Sequence, residues 1–156
     1  MNFKDLTKVL NKFQRNKLVF VGLGNPHCGD DAAGQILLEH FSRRKELNGA
    51  HFIFAGTNPE NYLTKITDKE PDAVVFIDTA RFSAIPGTID LLEERNLRPT
   101  DFSTHTFSIE MIAAYITSVR PCGIFYLGIE PKSTDIHEPV SKNIQNGIED
   151  FFKDRK

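Results

Sequence analysis

Residues 19–34, VFVGLGNPHCGDDAAG, carry the most informative structural signals in the chain. This stretch begins within a short apolar and β-branched run, residues 17–21, of the kind found in strands that are covered on both faces. Three glycines then allow the backbone to turn sharply. An apolar helical pattern follows over residues 32–41. The stretch therefore predicts a buried strand, a glycine-rich turn and a helix in direct succession.

Two aspartates, Asp30 and Asp31, lie where this helix begins. One interpretation is a helix cap, because a carboxylate there can accept the free N–H groups of the first turn. The other is that the turn directs Asp31 into a crevice at the carboxyl edge of a parallel sheet, where open α/β sheets bind ligands. A dinucleotide site is disfavoured, since His27 stands where G-x-G-x-x-G requires its third glycine, and no Gly-Lys-Ser/Thr of a P-loop follows. Cys28 is a conceivable nucleophile in the same turn.

The composition of the chain excludes several classes of protein. A length of 156 residues, with 40 % apolar and 26 % charged residues, fits one domain spanning residues 1–156. The net charge of −2 provides no basic surface for nucleic acid. Without a signal peptide or a run of ~18 apolar residues, we expect a cytoplasmic protein that does not enter membranes. The two cysteines form no disulfide framework or zinc pattern, and Cys122 is expected to be a buried small hydrophobe.

Predicted strands and helices alternate along the chain. Helices are predicted over residues 3–13, 32–41, 59–68, 107–116 and 138–152, and strands over residues 17–21, 51–55, 72–78, 88–92 and 122–129. The alternation predicts an α/β fold with a mostly parallel twisted sheet and helices on both faces. Residues 88–92 are expected to form an antiparallel edge strand, and residues 1–16 a helical extension that packs on the domain. Asn58 is expected to cap the third helix.

Three ionisable residues lie where this topology brings chain segments to one edge of the sheet. Asp31 follows the first strand, Asp78 ends the third, and His105 precedes the helix that leads to the last strand. Two carboxylates and an imidazole suit Ni(II), Zn(II), Mn(II) or Fe(II), or a general acid–base pair when no metal is bound. A non-catalytic interpretation stays open for each residue. Asp31 would cap its helix, Asp78 would accept N–H groups of a neighbouring loop, and His105 would have no particular role. Glu60 and Glu130 lie near the same edge.

Motifs along the chain resemble, in order, those of the hydrogenase maturation proteases, the endopeptidases that trim the carboxyl terminus of the [NiFe] hydrogenase large subunit. The matching segments are GLGN (22–25), GDDAAG (29–34), PEN (59–61), VFIDTA (75–80), PGTI (86–89), STH (103–105) and YLGIEP (126–131). The resemblance is closest to the branch that serves the hydrogenase of formate hydrogenlyase. Ala32 departs from the glycine that the family often has, and residues 1–16 exceed its usual amino-terminal length.

The resemblance implies a three-layer α/β/α sandwich around about five strands. It also implies that Asp31, Asp78 and His105 are the catalytic residues and contact a metal. That metal is nickel, which the large-subunit precursor supplies, although we expect other divalent ions to occupy the site in vitro. The implied partner is this precursor, on which a monomer of the protein docks transiently.

The leading hypothesis is therefore an endopeptidase that removes the carboxyl-terminal extension of the precursor after nickel insertion, with the bound nickel as its recognition element. The alternative is a non-proteolytic, nickel-sensing chaperone on the same scaffold, which holds the precursor without cutting it. A small-molecule hydrolase or phosphate-binding enzyme is a third interpretation. It is disfavoured because the glycine-rich turn carries neither Lys nor Arg.

Overall fold

The computed structural model describes residues 1–93 and 109–153. Within these ranges the α-helices are α1 (Phe3–Leu10), α2 (Ala33–Ser42), α3 (Leu63–Thr67), α4 (Ile109–Val119) and α5 (Lys142–Phe152). The strands are β1 (Leu18–Leu23), β2 (His51–Gly56), β3 (Ala73–Thr79), β4 (Ile89–Leu92) and β5 (Gly123–Ile129). The predicted alternation of strands and helices is confirmed.

The strands form one sheet in the order β2-β1-β3-β5-β4. β1 pairs in parallel with β2 and β3, and β3 pairs in parallel with β5, whereas β4 runs antiparallel to β5 at the edge. The predicted parallel sheet with one antiparallel edge strand is thus confirmed. From β1 the chain continues to β2, toward one edge of the sheet, and from β3 it continues to β4, at the other edge. We call the place between these two strands the switch point, where open α/β sheets have a crevice at the carboxyl ends of the strands.

Helices cover both faces of the sheet and complete the three predicted layers. On one face α1, α2 and α5 pack over the sheet, in a cluster that includes Leu6, Leu37, Phe41, Ile144, Phe151, Phe20, Val75 and Ile77. On the other face lie α3 and α4, in a cluster that includes Ile66, Ile112, Ile116, Val19, Val21, Val74 and Phe76. β1 and β3 are buried along their whole length. Their sequences are therefore continuous apolar runs rather than alternating ones.

The first and last helices are shorter than predicted. Phe13 leaves α1 and meets the ring of Phe125 edge-on, with 5.9 Å between the ring centroids. α5 begins later than the predicted start at residue 138, because Ser141 caps it: the Ser141 hydroxyl accepts the N–H of Ile144 at 3.4 Å. Both differences arise at helix ends, where side-chain caps and tertiary packing outweigh the apolar spacing.

The middle helices also differ from their predicted bounds. The helix predicted over residues 59–68 is a 3-10 turn, Pro59–Tyr62, followed by the five-residue α3. Asn58 occupies the N-cap position of this turn, as predicted, but its side chain makes no capping hydrogen bond and its amide donates to Glu60 Oε1 at 3.3 Å. α4 extends to Val119, and residues 107 and 108 lie outside the described ranges. None of the helices in the described part of the chain has the length and apolar character needed to cross a bilayer.

Candidate active site at the switch point

Asp31 lies in the 3-10 turn Gly29–Ala32, which joins the glycine turn (residues 22–29) to α2. Its carboxylate is buried and accepts two hydrogen bonds, from the N–H of Asn25 to Oδ2 and from the hydroxyl of Thr79 to Oδ1, each at 2.8 Å. Neither donor belongs to α2, whose first turn has no side-chain cap. The helix-cap interpretation of Asp31 is therefore wrong, because the carboxylate binds back to the glycine turn and across to β3.

Asp78 lies near the carboxyl end of β3 and is 0 % exposed. Its Oδ1 accepts the N–H of the next residue, Thr79, at 2.8 Å. Successive side chains of a strand point to opposite faces. Asp78 therefore shares the α3/α4 face with Phe76, whereas Thr79 shares the α2 face with Ile77.

Thr79 connects the two aspartates. Its hydroxyl donates to Asp31 and its backbone N–H donates to Asp78. Asp31 follows β1 and Asp78 lies near the end of β3, so both residues lie at the switch point and are linked through Thr79, although they are far apart in the sequence. The structure thus brings together two of the three residues that the sequence singled out.

The backbone of the glycine turn packs closely against the backbone of Asp31. Gly24 has a φ of 111°, and a Cβ added to it would lie 1.9 Å from the carbonyl oxygen of Asp31. Its N–H donates to the carbonyl of Gly56 at 3.0 Å, and its own carbonyl accepts the side-chain amide of Gln35 at 2.7 Å. Glycine is required at position 24 on both counts, since other residues rarely adopt this φ and no side chain fits.

A second glycine, Gly34, brings α2 against the ends of both strands. A Cβ added there would lie 2.5 Å from the carbonyl oxygens of Leu23 and Ile77, and 3.1 Å from the Cα of Asp78. The first turn of α2 therefore packs directly on the carboxyl ends of β1 and β3. This contact brings the first turn of α2, which begins two residues after Asp31, against the backbone of Asp78.

We expect Gly34→Ala to lower the free energy of unfolding by about 2 kcal/mol, because the new methyl group meets two backbone carbonyls that cannot rotate away. The sign is informative, since the same change in an exposed helix stabilises by up to about 1 kcal/mol. Urea denaturation measures the effect. An unchanged or higher midpoint would contradict the close packing of α2 on the strands.

Asp30 has a different role from its neighbour. It is 1 % exposed, and its Oδ2 accepts the N–H groups of Lys132 and Ser133 at 2.8 and 3.3 Å. Ser141 donates its N–H to Oδ1 at 2.7 Å and its hydroxyl to Oδ2 at 2.9 Å. Asp30 therefore holds the segment of residues 132–141 against the glycine turn. The sequence contains no local signal for this role, because every donor lies more than a hundred positions away.

The two glutamates near this edge also differ from each other. Glu130 is buried, and its Oε2 accepts the N–H groups of Phe82 and Ala84 at 2.7 and 3.2 Å, so it holds the loop that follows β3. Glu60 accepts the Asn58 amide through Oε1, while its Oε2 is buried without a hydrogen-bond partner among the described residues. The sequence patterns did not distinguish these environments.

The two cysteines are half-buried, so the expected full burial of Cys122 is wrong. Cys122 lies just before β5, at the edge opposite the switch point, and burial raises the pKa of its thiol. That thiol stays protonated near neutral pH and is a weak nucleophile. Cys28 lies in the glycine turn, where its carbonyl accepts the N–H of Asp31 at 3.0 Å. A nucleophilic role for Cys28 stays untested.

His105, the third predicted residue, lies outside the described ranges, and its role stays a prediction. Within residues 1–93 and 109–153, no three His, Cys, Asp or Glu side chains are grouped as metal ligands. Asp31 and Asp78 each offer carboxylate oxygens at the switch point, and such donors suit a divalent cation.

The family of this chain follows from its similarity to known proteins. The model of the hydrogenase maturation protease family, HycI, matches residues 36–154. A protein of Methanocaldococcus jannaschii with a provisional name as a hydrogenase maturation protease is 31 % identical over 136 residues, which are 83 % of this chain and 80 % of that protein. The hydrogenase 3 maturation protease of Escherichia coli is 23 % identical over 137 residues, 86 % of each chain.

Solved structures agree with this assignment. The crystal structure of a [NiFe] hydrogenase maturation protease HycI from Thermococcus kodakarensis has a TM-score of 0.80 at 28 % identity, covering 94 % of this chain and 92 % of that one. The solution structure of the endopeptidase HycI from Escherichia coli has the same fold, with a TM-score of 0.73 at 23 % identity and 85 % coverage of each chain. The family match includes Asp78 and begins after Asp31. Because that match spans more than half of the sequence, this chain belongs to the hydrogenase maturation protease family and is an enzyme of the peptidase class.

Proposed function

We propose that this peptidase removes the carboxyl-terminal extension of a [NiFe] hydrogenase large-subunit precursor after nickel has been inserted. Family membership supports the reaction class, and the name of the Thermococcus kodakarensis relative supports the kind of hydrogenase. The observation that carries the proposal is that Thr79 donates hydrogen bonds to both Asp31 and Asp78 at the switch point between β1 and β3.

In this proposal Asp31, Asp78 and His105 contact the nickel of the docked precursor, so the ion is part of the substrate. Carboxylate oxygens and an imidazole nitrogen are suitable donors for it. If the precursor docked without nickel, the carboxylates would be desolvated without the ligand contacts that nickel supplies, at a cost of several kcal/mol. Nickel insertion would then be a condition for productive docking.

Peptide hydrolysis needs a base for the attacking water and a group that polarises the scissile carbonyl. A carboxylate beside the substrate can accept the proton of the water, and a divalent ion can polarise the carbonyl. Cleavage yields the new carboxyl terminus of the large subunit and the amino end of the released peptide. Asp31 is held by two hydrogen bonds before the substrate arrives, so its carboxylate needs little reorganisation during the reaction.

Nickel loading of the precursor is expected to decide whether it is cut. Incubation with this protein should remove a carboxyl-terminal peptide from the nickel-loaded precursor and leave the nickel-free precursor intact, as measured by intact mass. Asp78→Asn provides the control for a contaminating protease. Cleavage of both forms would overturn the recognition of nickel but keep the peptidase. Nickel-dependent association without cleavage of either form would favour the chaperone instead.

A further inference from the structure

Thr79 contacts both aspartates of the candidate site through different groups. The side-chain hydroxyl donates to Asp31 Oδ1, whereas the backbone N–H donates to Asp78 Oδ1, each at 2.8 Å. Thr79 is 3 % exposed, so water has little access to either bond. A substitution at position 79 can therefore remove the bond to Asp31 while it leaves the bond to Asp78 in place.

The Asp31 carboxylate is fixed at both oxygens. Asn25 holds Oδ2 through its backbone N–H, and Thr79 holds Oδ1 through its hydroxyl. Two bonds at opposite oxygens prevent rotation of the carboxylate about its Cβ–Cγ bond. Each carboxylate oxygen can accept about two hydrogen bonds or metal contacts, so each oxygen of Asp31 retains an acceptor position for a ligand.

We propose that Thr79 is a positioning residue that orients Asp31 toward the nickel of the precursor; this inference rests on the function proposed above. Partners of this kind orient a ligating carboxylate, and their loss costs about 10- to 100-fold in metal affinity or activity. Without the hydroxyl, Asp31 is held only through Asn25 and rotates around that bond. Thr79 thus contributes to the orientation of Asp31 before the substrate binds, and not to the surface on which the precursor docks.

Two substitutions separate the hydroxyl from the rest of the side chain. Thr79→Val keeps the β-branched shape and the backbone N–H but removes the donor to Asp31, and Thr79→Ser keeps the donor. Two quantities are measured for each: kcat and KM for the nickel-loaded precursor, and the affinity of the free enzyme for Ni²⁺ alone by isothermal titration calorimetry. For Thr79→Val we expect kcat/KM and Ni²⁺ affinity to fall about 10- to 100-fold, because Asp31 contacts the nickel that the substrate carries. Thr79→Ser should retain most of both.

Several outcomes would overturn the role of Thr79. Wild-type kcat/KM and Ni²⁺ affinity in Thr79→Val would do so. If the thermal midpoint fell while both of these stayed at the wild-type value, Thr79 would serve folding alone. Equal losses in both variants would show that the hydroxyl is not the active feature. If Thr79→Val does not fold, Thr79→Ala removes the same donor and takes its place. Failure of the wild type to process the precursor would overturn the proposed function, and the Ni²⁺ titrations would still decide the role of Thr79.

Discussion

Asp31→Asn and Asp78→Asn are each expected to reduce processing of the nickel-loaded precursor by about 10³-fold or more, and His105→Ala should do the same. Each change removes a group that the proposal places in contact with the nickel and the reacting water. The fold should survive the asparagine substitutions. The amide carbonyl of an asparagine at position 78 can still accept the N–H of Thr79, and the Thr79 hydroxyl can turn to accept the amide of an asparagine at position 31.

The measurement is a time course of precursor mass, with circular dichroism and urea midpoints to verify folding. Asp72→Asn is a matched control, because Asp72 precedes β3 at the edge opposite Asp78 and forms an exposed ion pair with Arg120 at 2.9 Å. Exposed ion pairs contribute little to stability, so the control should fold and process the precursor normally. Near-normal cleavage by all three folded site variants would refute the assignment of the site.

Asp30→Ala is expected to lower the free energy of unfolding by about 3–4 kcal/mol, among the larger effects of a single substitution. It removes the acceptor for three backbone N–H groups and one hydroxyl of Lys132, Ser133 and Ser141, and buried donors without an acceptor are costly. Asp30→Asn should also destabilise, because all four partners donate and an amide nitrogen cannot accept from any of them. For a chain of this size the alanine variant should melt roughly 10 °C lower.

Calorimetry or urea denaturation checks this expectation, and Asp135→Ala is the control. Asp135 lies in the same segment as Ser133 and Ser141 but is exposed, so its loss should change stability by no more than about 0.5 kcal/mol. Equal stability of the Asp30 and Asp135 variants would show that the hydrogen bonds to Asp30 do not hold this segment. A selective loss in the Asp30 variants would confirm its structural role and separate it from Asp31.

Much of the architecture was predictable from local patterns. Continuous apolar runs marked β1 and β3 as strands covered on both faces, and alternation with helices indicated a parallel sheet. The glycines before Asp31 marked the turn at the end of β1. These features can be recognised because strand and helix periodicities and the special conformations of glycine act over a few residues. Helix ends were less predictable, as the start of α5 shows, since Ser141 is held by the distant Asp30.

Local sequence patterns were sufficient to predict the α/β architecture, the glycine turn and the candidate residues Asp31 and Asp78. They could not predict that Asp30 binds a distant segment, that Thr79 connects Asp31 to Asp78, or that Gly34 lets α2 approach both strands. Strand order and helix packing set these contacts. They join residues that are remote in the chain, and no local periodicity encodes which remote donor a buried carboxylate will meet.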